Sequence, residues 1–420
     1  MTSEIAVMNQ RAVALAADSA VTLVDGSTTV VRNQQRKLFQ LVEGHPVGAM
    51  YFGIADIMGH PWDTLIELYQ VRTKPAPFEH LEHYGESFVV MLDNLPEFFT
   101  QERQREDYKR LLASVFRYIF QLAQDLRENG GADRAKASDT KLLQDAIERV
   151  WHNYQYCEDG SARGELSCFP PGFGKRVLRE HTQIIEELIM HGFQPFGLNA
   201  VSIKRLYDIA SFAVIKDFFL EDVSGLVFAG FGTKDHYPSS FTYYVSAVVC
   251  GIVKRAPASH DAIDGANRSK IRVFADSDVT NAFIRGIDVQ MERHVHTGIG
   301  SMLNCLVDQI IAALPARTNE KQNLRRRIQS ELLPQYLNKF REMTDSYQQQ
   351  KFINPVLSVL EIASGSELAE TARELILLNA FKKRIMAQKQ TVGGAIDVAV
   401  ISREAGFQWY ARQAGERVYG

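Results

Sequence analysis

Behind Met1 the chain opens Thr2-Ser3-Glu4-Ile5-Ala6-Val7-Met8-Asn9-Gln10-Arg11-Ala12-Val13-Ala14-Leu15-Ala16-Ala17-Asp18. Two short apolar runs, Ile5–Met8 and Ala12–Ala17, flank a turn-like Asn9-Gln10-Arg11. Runs this short, bounded by polar residues, suit two buried strands of a hairpin. Thr2 is small enough at its side chain for an aminopeptidase to remove Met1. The mature chain would then begin with a threonine that carries a hydroxyl and a free α-amine on one residue. A nucleophile with its own base is a route to amide hydrolysis.

Working outward, the first sixty residues read as β. Val24-Asp25-Gly26-Ser27 carries an Asp-Gly turn signal. Strands are expected at Lys37–Leu41 and Val47–Phe52, the latter ending at Gly53. Trp62, Leu65, Ile66, Leu68 and Tyr69 then recur at helical spacing, with Pro61 near the first turn. From about 75 to 220 the chain is helical in period and rich in charge, with a stripe of Val115, Tyr118, Ile119 and Leu122. Such a stripe is normally intramolecular core, and on a free face it would meet a partner. β character returns at Gly225–Gly230, through Phe241–Val253, and at Lys270–Ala275. A second helical block follows, and strands at Ala395–Ile401 and Phe407–Ala411 close the chain. Strands, helices, strands, helices, strands is the order of an α+β layered fold, not of a βαβ alternation.

Composition narrows the function classes. The 420 residues suffice for one large domain or two ordinary ones. A net charge of −3 gives no global basic field for nucleic acid or anionic membrane. The four cysteines, Cys157, Cys168, Cys250 and Cys305, form no C-x-x-C pair, which suits a reducing, cytoplasmic setting. No basic-then-apolar leader is visible at the start, and no run approaches the ~18 apolar residues of a membrane span. His294 and His296 lack metal-ligand spacing, so no metal is expected. Gly230-Phe231-Gly232 and Gly172-Phe173-Gly174-Lys175 fall short of dinucleotide and Walker signatures, so no cofactor is expected.

Thr2, then Ala16-Ala17-Asp18-Ser19 with Thr22, then Lys37 before an apolar strand, then Gly53-Ile54-Ala55-Asp56 before a helix near Trp62, resembles a proteasome β-type subunit. Gly393-Gly394-Ala395-Ile396, Arg403 and Gly406 are similar to the closing strands of that family. The resemblance covers residues 2–75, 223–290 and 368–411. It implies an N-terminal nucleophile (Ntn) hydrolase with a four-layer αββα sandwich formed by residues 1–75 and 223–411. A second helical block would span about 290–367, and 76–222 would be a helical insertion.

The resemblance also implies roles. Thr2 would be the nucleophile, Lys37 would hold a positive potential beside it, and Asp18 would fix Lys37. The Gly53 N–H would face the oxyanion, and Thr22 would lie on the loop that pairs with an extended substrate. Peptide or amide substrates, a homo-oligomer and an ATPase unfoldase as candidate partner follow in the same way. The chain departs from the family where Val392 replaces a serine, Lys389 an aspartate, and Ala275-Asp276-Ser277-Asp278 a Gly-Ser-Gly-Ser segment. Thr391 or Asp276 would then have to substitute, or activity would be weak or absent. Two rivals stand beside the hydrolase. One is a catalytically inactive scaffold of the same fold. The other is a partner-binding protein that works through its helical insertion. Taken singly, Asp18 is also an ordinary turn or cap residue, and Lys37 a solvated edge lysine.

Overall fold

The computed structural model describes residues 3–19, 21–25, 28–32, 35–72, 76–129, 136–220, 223–275, 277–315, 317–385 and 394–412. Along the chain the strands are β1 Ser3–Asn9, β2 Ala12–Asp18, β3 Val21–Asp25, β4 Thr28–Arg32, β5 Leu38–Gln40, β6 Val47–Gly53, β7 Asp56–Ile57 and β8 His60–Pro61. After the first helical region come β9 Ser224–Gly230, β10 Ser239–Val249, β11 Ile252–Ala262, β12 Ser269–Ala275, β13 Ile396–Ser402 and β14 Gly406–Ala411. The fold is mixed α and β with antiparallel sheets. It divides into two compact units, Met1–Leu38 with Ala262–Gly420, and Phe39–Asp261. Among the described residues no helix is long and apolar enough to cross a membrane.

In the first unit the sheet runs β12-β1-β2-β13-β14. The register sets Ile5 opposite Ala16 and Val7 opposite Ala14. These residues share one face, because side chains alternate along a strand. Every residue of β1 and β2 is buried. Burial on both faces explains why the two strands read as near-continuous apolar runs without alternation. Helix Gly365–Ile385 packs on β1, β2 and β13. It brings Leu368, Ala372, Leu375 and Ile376 to Ile5, Val7, Ala14 and Ala16. Fully burying a leucine or isoleucine here contributes about 2 kcal/mol. The turn read at Asn9 is tied down from both ends. Its Oδ1 accepts from the N–H groups of Arg11 and Ala12, and its Nδ2 donates to the carbonyls of Leu360 (2.9 Å) and Ala363 (2.8 Å). Those carbonyls close helix Asn354–Ile362, whose last turn leaves acceptors without intrahelical donors.

The same unit carries a long helical hairpin. Helix Val289–Ala313 leads into α-helical stretches Thr318–Arg327, Leu333–Gln348 and Asn354–Ile362, with π-helical turns at Ile328–Leu332 and Gln349–Ile353 between them. Each π turn ends two residues before a proline, Pro334 or Pro355. Proline lacks the N–H that an α-ladder needs, so the ladder widens there and the helix continues.

In the second unit the sheet runs β11-β10-β9-β6-β5. Trp62, Tyr69, Tyr84, Phe88 and Phe228 form the core between this sheet and helices Trp62–Arg72 and Leu81–Leu92. Gly85 allows that close approach, since a Cβ there would meet the Phe228 ring at 3.0 Å. The helices from Gln101 to Ile215 share a second core with Ala247, Val249 and Ala256 of β10 and β11. Val115 and Ile119 are fully buried in it, with Tyr118 and Leu122 packed against it. Half of that stripe is therefore core within the unit, as such a stripe normally is.

Phe241–Val253 is not the continuous strand expected from its sequence. The chain turns at Cys250 (φ 48°) and Gly251 (φ 84°) and returns as β11. Positive φ at both turn residues is the signature of a tight hairpin. β11 escaped notice because it contains Lys254, Arg255, Pro257 and His260. It is an edge strand, where proline and charge are tolerated.

Candidate functional site

The β1–β2 register ends at Glu4 opposite Ala17, one residue short of Ser3 and Asp18, under helix Gly365–Ile385. The Ser3 N–H donates to Asp18 Oδ1 at 3.3 Å. The same oxygen accepts from Lys37 Nζ at 2.6 Å, and Lys37 Nζ also lies 3.3 Å from Glu4 Oε1. Asp18 and Lys37 are each 1% exposed, and Glu4 is fully buried. Neither a surface turn aspartate nor a solvated edge lysine describes these residues. A buried lysine is costly unless it is paired and hydrogen-bonded, and here two carboxylates share it.

The last helix completes the cluster. Its apolar stripe of Leu368, Ala372, Leu375 and Ile376 continues at the same spacing into Asn379 and Lys383, both buried. Asn379 Nδ2 donates to Ser3 Oγ at 3.1 Å. Burial holds the Lys383 ammonium below the ordinary lysine pKa, and the charge of Asp18 acts in the opposite direction. Just beyond Asp18, the Ser19 N–H donates to the Ala395 carbonyl and its own carbonyl accepts from Gln35 N–H. These bonds fasten the entry to β13 and the approach to Lys37 onto the end of β2. Two lysines and two carboxylates thus converge, with little water, on the first residues of β1. At an effective dielectric near 20, a charge pair at these distances interacts by roughly 5 kcal/mol before desolvation is subtracted.

Of the residues singled out from sequence, Asp18 and Lys37 are brought together. Thr2 lies outside the described residues, as do Asp276, Lys389, Thr391, Val392 and Gly393. Thr22 falls within β3, which pairs with β4 in a two-stranded ribbon. Gly53 belongs to the second unit, where it ends β6 at φ 82° opposite Ser224. A Cβ on Gly53 would stand 2.4 Å from the Val223 carbonyl oxygen. The next N–H, of Ile54, donates to that same oxygen at 3.2 Å. Trp62 Nε1 donates to the Ile54 carbonyl and to Ser224 Oγ, so the segment after Gly53 is held from both sides.

Glu4, Asn379 and Lys383 were not singled out. A glutamate inside an otherwise apolar strand was a signal for the first. Two polar residues prolonging a helical apolar stripe were a signal for the others. No protein-family model matches this chain, and no curated protein does.

Proposed function

We propose that the chain is a proteasome-like N-terminal threonine hydrolase that cleaves peptide or amide bonds, with Thr2 as nucleophile once Met1 is removed. Its two sheets and their helices would form the four-layer αββα sandwich of the Ntn hydrolases, with 76–222 as the helical insertion. The observation that carries the reading is the buried Lys37 ammonium, 2.6 Å from Asp18 Oδ1, on a carboxylate that also accepts the N–H of Ser3. Ser3 is the residue bonded to Thr2.

In this reading Thr2 Oγ attacks the carbonyl, and the α-amine takes up its proton through a water. The fixed charge of Lys37 favours the unprotonated amine and a more acidic hydroxyl. Asp18 holds Lys37 in place. The Gly53 N–H would donate to the developing oxyanion, a contribution of roughly 3–4 kcal/mol. Thr22 would border an extended substrate bound by backbone hydrogen bonds. The chemistry needs no cofactor or metal, suits the cytoplasm, and leaves room for an ATPase unfoldase that feeds substrate.

A second reading has its own support. Glu4 gives Lys37 a second carboxylate and Lys383 adds a second ammonium, so the cluster neutralises itself as a structural staple would. In that case the chain is a catalytically inactive scaffold of the same fold.

Intact mass followed by labelling with an electrophile that acylates a terminal threonine separates the two. The hydrolase reading expects a chain lacking Met1 and an adduct mapped to Thr2. The adduct should vanish in Thr2→Ala and in a folded Lys37→Ala variant. Retained Met1, or labelling that persists without Lys37, overturns it.

A further inference from the structure

We propose that the helical hairpin from Val289 to Gln348 is a self-association arm, whose apolar face packs against the same face of a second copy of this chain. The observations behind this are independent of the hydrolase reading. Glu292 and Gln348, His296 and Phe340, Gly300 and Leu337, and Asn304 and Gln329 meet across the hairpin, so its two helices run antiparallel. Among its described residues only Ile311, Leu333 and Gln348 are buried. Two helices alone cannot cover the apolar side chains they carry.

Those side chains are ordered. On the first helix Met302, Leu306 and Ile310 recur every four residues. On the second, Leu332, Tyr336, Met343 and Tyr347 recur at four, seven and four. Exposure runs from 45% at Leu332 to 74% at Met302. Residues rotate by 100° per step about a helix axis. Seen from its own N-terminus, each of these stripes lies counterclockwise of the stripe that faces the other helix. Since the helices are antiparallel, both stripes open on the same side of the hairpin. Gly298 lies beside Met302 near that side, and a Cβ there would meet nothing within 4 Å. Among the described residues no contact calls for a glycine in mid-helix here, and one costs about 1 kcal/mol relative to alanine.

Area and charge identify the occupant. Large apolar side chains present ~150–200 Å² each. At the exposures found here the face leaves roughly 700 Å² per copy, within the span of a specific interface at about 600–1,000 Å² per partner. From 289 to 348 the chain has eight Lys and Arg against six Asp and Glu. A nearly neutral surface does not repel itself, whereas a strongly charged one would select an opposite partner. Two hairpins meeting face to face about a two-fold axis give a four-helix bundle, in which each stripe finds an equivalent one.

Sedimentation velocity of the full chain between about 1 and 100 µM tests this. Wild type is expected to sediment as a dimer or a multiple of one. Leu306→Glu combined with Met343→Glu places unpaired carboxylates in the face and should weaken association ~100-fold or more. Both positions are at least half exposed in one copy, so far-UV circular dichroism and the melting temperature should hold. Asn338→Glu, on the opposite flank of the second helix, should leave the assembly intact. A wild-type chain that stays monomeric at about 100 µM overturns the proposal, whatever else binds that face. So does a folded double variant that assembles as wild type does.

Discussion

Replacing Lys37 by methionine keeps most of the apolar stem and removes the ammonium, its charge together with its hydrogen-bond donors. Lys37 Nζ holds Asp18 Oδ1 at 2.6 Å and Glu4 Oε1 at 3.3 Å, and all three residues are at most 1% exposed. The attraction lost is on the order of 5 kcal/mol per contact at an effective dielectric near 20. Most of that offsets the cost of having taken the charges out of water. The net loss expected for breaking such a buried cluster is about 3–5 kcal/mol, because two carboxylates are left with only the Lys383 ammonium to balance them. If that is the cause, removing the carboxylate charges as well should recover part of the loss, the Lys383 ammonium being the one charge left over. The triple variant Lys37→Met, Asp18→Asn, Glu4→Gln is therefore expected to be more stable than Lys37→Met alone. The chain has two compact units, so a single melting curve need not report on the first. Hydrogen exchange of peptides from β1 and β2 in a urea series reads that unit directly. A Lys37→Met variant that loses less than about 1 kcal/mol, or a triple variant no better than the single one, would refute the argument that this cluster is a charge-balanced part of the core.

Two further outcomes concern the second unit. Lys254 is buried, with Nζ donating to the carbonyls of Ala213 (2.9 Å) and Phe218 (2.8 Å), and burial lowers its pKa to about 7. Between pH 7 and 8.5 the unfolded chain then binds more protons at this residue than the folded one. Its contribution to stability therefore rises with pH and is lost as pH falls through about 7. The slope is at most about 1.4 kcal/mol per pH unit, and a Lys254→Met variant compared with wild type at pH 7.0 and 8.5 should lack it. Gly53→Ala forces a side chain onto positive φ and against the Val223 carbonyl, and should cost roughly 2–4 kcal/mol of stability in thermal unfolding. Gly44→Ala, with φ 79° and nothing within 4 Å of the place its Cβ would take, should cost only about 1 kcal/mol; equal losses would mean that contact with Val223 plays no part.

Local rules made much of the α+β order legible. The turn at Asn9 and the strand ending at Gly53 follow from turn residues and hydrophobic period. The same rules missed β11, because an edge strand keeps charges and a proline that no central strand would hold. The pairing of Asp18 with Lys37 was implied by the resemblance alone, and each residue had a bland alternative on the surface. Only the folded chain removed that alternative, since burial depends on what comes to lie above a residue. Glu4 became a partner of Lys37 through the pairing of β1 with β2. Asn379 and Lys383 reached the same place because a helix more than 340 residues later lays its buried stripe across those strands. Periodicity tells which side of an element avoids water. Which distant charges share that dry space is settled by tertiary packing, because an ion pair in the interior exists only once both partners have lost their solvent.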